Sequence, residues 1–524
     1  MPIIRISNNE SWKKFVGAVV DLNDTPQQME SNEATTRRYF EESPCLKRIH
    51  LKTVTHLDFS PGLNSVTFAV VKLLLAKLEN VEAISGHHLM LARPGHFNPG
   101  SYSKDLYTIT FPNSKHLKSF TFMAVSDLVF GFDVSKLERF HLPKISSIKG
   151  DLSIDPLNSL SSFMEKLCFS DSIRILKLQG YDVNRYGKFT IKGMRNLEVL
   201  SVTFKSLDES NMFEGFEGKR LSTLDVHYQS LSPSYGVQRS MEDLLPNWKV
   251  FPKTLKHLTM DHHPITPPHR SKVLGRGFGD YLIEAKVESL HLWNDAMDRT
   301  LPLADSFSEL KKLMLAPLTL STPPTADLMG SLGKLTNLTS LSFLVTDAQN
   351  SSVLLLALSK LVKLRKFSLE TDTKYGVRYS VEDSYVFPIK DVLRALPNRG
   401  CMKALTLKMI PMHFDDEFGT LLKEFSPMMD SLLLDTELAA DSITPEFMHS
   451  LISFTQLTNL TLNCSYYLPQ HSRGVDSTLF IEVLSKLTKL DILTSFNVTE
   501  GDRAALKKSC SQIDTIWFVP LRQQ

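Results

Sequence analysis

Cysteine is scarce in this chain of 524 residues. The five present (Cys45, Cys168, Cys401, Cys464 and Cys510) lie far apart and form no CxxC pair. Neither a disulfide framework nor a zinc site is indicated, and the natural compartment is a reducing one inside the cell, cytoplasmic or nuclear. Long apolar runs are missing too: no stretch approaches the roughly 18 residues that a membrane span needs. Residues 1–14 lack the apolar core of a secretion signal. The Asn-x-Ser/Thr triplets at Asn337, Asn459 and Asn497 are therefore read as chance matches, because glycosylation requires secretion. No sign of charge predominates, with Lys+Arg at 59 and Asp+Glu at 57. The overall balance draws the chain neither to nucleic acid nor to an anionic membrane, although a local basic patch is compatible with it.

Catalytic signatures are also lacking. The chain has no GxSxG, no HExxH and no Walker-type GKS or GKT. Gly275, Gly277 and Gly279 lack the spacing and the strand-to-helix setting of a phosphate loop. The pairs His87-His88 and His262-His263 have no partner ligands at a fixed distance along the chain. No nucleophile, base and oxyanion set can be assembled, so the expectation is a protein that is not an enzyme and needs no cofactor or metal.

What the chain does have is a repeated pattern: apolar, two residues, apolar, one residue, apolar. It occurs as LKSFTF from Leu117, LERFHL from Leu137, IRILKL from Ile173, LEVLSV from Leu197 and LSTLDV from Leu221. It continues as LKHLTM from Leu255, VESLHL from Val287, LKKLML from Leu310, LTSLSF from Leu338 and LRKFSL from Leu364. The last copies are MKALTL from Met402, MDSLLL from Met429, LTNLTL from Leu457 and IDTIWF from Ile513, with weaker ones at Leu46, Val81 and Leu490. Alternate side chains of a strand face opposite sides, so the fourth and sixth positions of each copy share one apolar face. A single strand cannot bury that face. Parallel stacking of the units creates a continuous core, and parallel neighbours need a crossover, usually helical. Apolar residues at helical spacing predict such crossovers over 326–335, 353–361, 415–425, 446–454 and 478–487.

This series resembles the leucine-rich-repeat proteins of the irregular intracellular kind, such as the ribonuclease-inhibitor-like and F-box-associated repeat proteins, over roughly residues 110–520. The resemblance implies an α/β solenoid, a curved parallel sheet with outer helices and irregular segments. It also implies a non-catalytic protein-interaction scaffold or recognition subunit that binds a protein partner through its concave face and long loops, as part of a larger complex. The Asn or Cys that usually follows each strand is mostly replaced, for instance by Thr346, Asp372 and Ser465. Residues 1–44 contain Trp12 but no F-box pattern. A ubiquitin-ligase substrate receptor is thus one option by resemblance alone, and a nucleic-acid-associated subunit is another that the charge balance argues against.

The expected organisation is an N-terminal cap or extension over 1–45, the repeat array over 46–498 (clearest over 117–498) and a C-terminal cap over 499–524. In the cap, Thr499 and Asp502 suggest a capping box. Three connections are long: 228–253, 262–286 and 371–400. The third, fifth and seventh motif positions should project from the open strand face, as Arg139, His141, Lys177, Gln179, Lys366, Glu370, Lys408, Asp435, Asn459 and Asn463 would. The middle copies offer the densest set: Asp225, His227, His257, Asp261, His291 and Trp293. These six are the candidate partner-binding residues, because an exposed Trp beside polar groups suits a protein-binding hot spot. A flat strand face spreads such side chains too widely to enclose a metal ion.

Overall fold

The computed structural model describes residues 3–6, 53–59, 66–67, 78–92, 108–110, 114–123, 129–131, 135–142, 167–182, 190–204, 216, 219–229, 252–263, 284–293, 309–319, 332–347, 351–371, 388–410, 412–436, 444–464, 477–490, 492–495, 504–505, 508–510 and 515–518. The chain divides into two compact units. Unit 1 comprises Met1–Ser234 with Leu244–Ile265, and unit 2 comprises Tyr235–Asp243 with Thr266–Gln524.

Unit 1 is a parallel sheet. Its strands are β1 (Ile3–Ile6), β2 (His56–Phe59), β3 (Val66–Thr67), β4 (Ala83–Ala92), β5 (Thr108–Thr110), β6 (Ser119–Met123), β7 (Val129–Gly131), β8 (Arg139–Leu142), β9 (Ile175–Asp182), β10 (Val199–Phe204), β11 (Thr223–Gln229) and β12 (His257–His263). The main ladder runs β1–β2–β4–β6–β8–β9–β10–β11–β12. Strand β3 adds a short parallel pairing to the far end of β4, and β5 pairs with β7.

Unit 2 repeats the plan. Its strands are β13 (Ser289–Trp293), β14 (Lys312–Thr319), β15 (Ser340–Asp347), β16 (Lys366–Thr371), β17 (Ala404–Lys408), β18 (Ser431–Thr436), β19 (Asn459–Cys464), β20 (Ile492–Ser495) and β21 (Thr515–Phe518). Each pairs in parallel with the next in chain order. The crossovers contain α1 (Ser351–Leu358), α2 (Ile389–Ala395), α3 (Asp416–Lys423), α4 (Pro445–Ser450) and α5 (Ser477–Ser485). No helix among the described residues is long and apolar enough to cross a membrane.

The register shows why the six-residue pattern recurs. Fourth positions pair with fourth positions: Leu57, Ile84, Phe120, Phe140, Leu176, Leu200, Leu224 and Leu258 form one row in unit 1. Leu290, Leu313, Leu341, Phe367, Leu405, Leu432 and Leu460 form the corresponding row in unit 2. All are buried, and the rings of Phe120 and Phe140 stack at 5.7 Å. The first positions are buried beside them, from Leu117 to Leu490. Burying each such side chain contributes about 1.5–3 kcal/mol, so the row is the main source of cohesion between neighbouring copies. Both units are therefore α/β leucine-rich-repeat solenoids.

A second row binds the copies through the main chain. The carbonyl of each second position accepts from two N–H groups of the next copy. Thus Glu198 O takes Ser222 N at 2.8 Å and Thr223 N at 3.1 Å, and Thr339 O takes Arg365 N at 2.8 Å and Lys366 N at 3.0 Å. Where the second position is a hydroxyl, the side chain reinforces this link: Ser222, Thr339 and Thr458 donate to Glu198 O, Lys311 O and Asp430 O. Ser172 and Thr254, one residue before the first position, donate likewise to Leu137 O and Leu221 O. These dispersed hydroxyls join adjacent copies without a regular Asn row.

Three details depart from the sequence expectations. The weak copy at Leu46 lies outside the described residues, whereas Val54 opens an unanticipated copy, VTHLDF, with Val54 and Leu57 buried. Residues 3–6, expected in a cap, form a strand on β2. The long connection 371–400 contains α2, whose Ile389, Val392, Leu393 and Leu396 are buried at i, i+3, i+4, i+7 spacing. The described part of the expected helix over 326–335 begins with helical Leu332 and closes in a turn over 333–334. The capping pair Thr499 and Asp502, and most of the connections 228–253 and 262–286, lie outside the described residues.

Candidate functional site

Strand alternation decides what each unit shows to solvent. Along β16, Lys366 is exposed, Phe367 and Leu369 are buried, and Ser368 and Glu370 are half-buried between them. Odd motif positions therefore form an open, polar face, with the apolar row directly beneath. Thr121, Ser201, Leu344 and Asp435 depart from this rule, being buried at fifth or seventh positions. Asp435 was expected on the open face, and its carbonyl accepts from Ile410 N of the neighbouring copy at 3.2 Å.

The structure divides the six candidate residues between the units. Asp225 and His227 on β11 and His257 and Asp261 on β12 belong to unit 1, where the register sets Asp225 opposite Thr259 and His227 opposite Asp261. Asp225 and His227 are half-buried and His257 is exposed. His291 and Trp293 lie on β13 of unit 2, and His291 is half-buried with Nε2 shielded from solvent. The side chains of Asp261 and Trp293 lie outside the described residues.

A groove that sequence reasoning missed lies earlier in unit 1. It encloses about 660 Å³ over the N-terminal ends of β2 to β10. His56, Ser85, Ser119 and Arg139 line it from odd positions, and Lys118, Glu138, Arg174 and Glu198 from second positions. Those second positions alternate in sign. Lys118 Nζ meets Glu82 Oε2 at 3.1 Å, and Arg174 Nη2 meets Glu198 Oε1 at 2.7 Å. Glu138 sits between Lys118 and Arg174 in the same main-chain row. Adjacent strands lie about 4.8 Å apart, so opposite charges face each other from copy to copy. The alternation is present in the sequence at Glu82, Lys118, Glu138, Arg174 and Glu198, but only the register reveals that these residues are neighbours.

Burial elsewhere is structural. Lys219 is buried, and its Nζ donates to Lys192 O at 3.1 Å and Met194 O at 2.9 Å, tying the turns of two copies together. Burial pushes its pKa down, against the pull of Asp171. No cluster of three or more His, Cys, Asp or Glu suited to a metal ion is found among the described residues. Burial also raises the Cys510 thiol, which makes it a poor nucleophile at neutral pH.

No protein-family profile matches the sequence, and neither does any curated protein. Among solved structures, the chain is similar to a leucine-rich-repeat protein of Leptospira interrogans. The two share 13% identity over 90% of this chain and 97% of that one, with a TM-score of 0.30. The fold assignment above rests on this chain's own strand register and buried rows.

Proposed function

We propose that this chain is a non-catalytic recognition module that binds a protein partner on the open strand faces of its repeat stacks. The observation that carries this reading is the division of labour along the central strands: fourth positions are spent on the core, and third positions such as Arg139, His257, Lys312 and Lys366 stand exposed on a main chain paired to its neighbours. Such a face cannot add another strand through backbone hydrogen bonds, so it reads a partner through side chains. In unit 1 that face carries Arg139, His141, Lys177, Asp225 and His257, and part of it forms the charge-lined groove. Protein ligands suit mixed charge of this kind, because ion pairs at a rim steer and orient an encounter.

The test is affinity purification from the native cell with the double variant Arg139→Ala/His257→Ala. Both side chains are exposed, so the thermal midpoint should hold within a few degrees. Partner recovery should fall by about tenfold, the cost of losing roughly 1.4 kcal/mol of contact. Recovery equal to that of the unaltered chain, at unchanged stability, would remove these faces from the reading.

A further inference from the structure

The N-terminal ends of β14 to β17 in unit 2 carry more positive charge than the fold requires. The second and third motif positions there read Lys311-Lys312, Thr339-Ser340, Arg365-Lys366 and Lys403-Ala404. The register puts Lys312, Ser340, Lys366 and Ala404 side by side. Main-chain bonds from Thr339 N to Lys311 O, Arg365 N to Thr339 O and Lys403 N to Arg365 O, at 2.7–2.8 Å, align the second positions as well. The preceding turns add Lys360 and Lys363, the latter donating to Asn337 Oδ1 at 2.5 Å.

Acidic groups border this strip without neutralising it. Glu288 takes Lys311 at 2.8 Å, with Glu309 close enough to favour the charged lysine. Asp430 follows Lys403 in the main-chain row. Lys312, Lys366 and Lys403 are exposed and have no carboxylate partner among the described residues. Helix dipoles account for Lys360, just past the C-terminal end of α1, because cations are favoured there. They do not account for Lys312 and Lys366, which stand on strands. A generally basic chain is no explanation either, since the formal net charge is only +2.

We propose that this strip binds an extended acidic segment of a protein partner. Neighbouring strands are about 4.8 Å apart, so Lys312 and Lys366, two strands apart, are separated by about 10 Å at the backbone. An extended chain covers about that distance in three residues. A carboxylate-rich segment lying across the strands therefore meets one lysine after another. Small side chains, Ser340 and Ala404, leave the floor open for its backbone. The strip has no aromatic side chain at its second or third positions on which nucleic-acid bases would stack, which favours a peptide. The inference rests on the reading above and deepens it for unit 2, whose strip lies apart from Arg139 and His257 of unit 1.

Anisotropy of a fluorescein-labelled peptide of alternating Glu and Ser tests it on the full chain. The peptide should bind, and binding should weaken with salt as exposed charges are screened. Lys312→Glu/Lys366→Glu should weaken it by about tenfold or more. Lys192→Glu/Arg220→Glu, an equal change of charge on exposed residues of unit 1, should leave it intact. The Arg139→Ala/His257→Ala variant should also keep peptide binding, so failure of the open-face reading would be seen separately. Absence of binding, an equal loss in the unit 1 control, or tighter binding of oligothymidine or of phosphatidylserine vesicles would overturn the proposal.

Discussion

Asp415 shows how much one side chain does in these crossovers. It precedes α3, and its Oδ1 accepts from Phe418 N at 2.9 Å, capping the helix. Its Oδ2 lies 2.7 Å from Lys390 Nζ, which also reaches Glu417 at 2.6 Å, and Glu417 pairs in turn with Arg394. Burial alone would raise the Asp415 pKa, but the bonds from Lys390 and Phe418 outweigh it and hold the carboxyl below its ordinary value of 3.8. A carboxyl depressed on folding contributes stability that is fully present above its unfolded pKa and fades as pH falls through the folded one. Asp415→Ala should therefore cost about 1 kcal/mol near neutral pH, mostly the cap, because the exposed ion pair is screened by solvent. Denaturant titrations should show this gap closing as the pH falls below the ordinary carboxyl value of 3.8. A gap that stays constant or widens on acidification would show that the carboxylate is not held as described.

At the scale of elements, α3 and α4 meet through Phe414, Phe418 and Phe447, with ring centroids 4.8–6.0 Å apart. Gly419 permits the approach. A Cβ there would stand 2.9 Å from Phe447 Cα, a backbone atom that cannot swing aside. Helix propensity favours Gly419→Ala by about 1 kcal/mol, whereas overpacking costs about 1–3 kcal/mol and more against backbone. Crowding should win, and the thermal midpoint should fall; a rise would mean that the helices lie farther apart. The buried rows at this scale were readable directly from the sequence, because first, fourth and sixth apolar positions mean the same thing in every copy. Two elements were not. In α2 the helical spacing follows Pro388 at the end of a long connection, and the copy at Val54 stands only eight residues after LKRIHL, which fits the same pattern. The buried Lys219 left no signal either, since its partners are carbonyls of another copy.

For the whole molecule, charge is the property that the sequence conceals. Totals of 59 and 57 nearly cancel, yet the register gathers alternating signs along the groove of unit 1 and mainly cations along β14 to β17 of unit 2. Residues 20 to 38 apart in sequence become neighbours about 4.8 Å apart, and no linear reading shows which of them meet until the strands are aligned. The same alignment explains why the candidate set of Asp225, His227, His257, Asp261, His291 and Trp293 could be named by position but not ranked. The odd positions of every other strand qualify equally, and the set spans two units. The account holds that recognition belongs to the strand faces and not to the outer helices. Covalent labelling of lysines, read by mass spectrometry with and without the captured partner, tests this most directly. Lys177, Lys312 and Lys366 should lose reactivity on binding while Lys423 and Lys486 keep theirs; protection of the helical lysines with the strand lysines still fully reactive would contradict it.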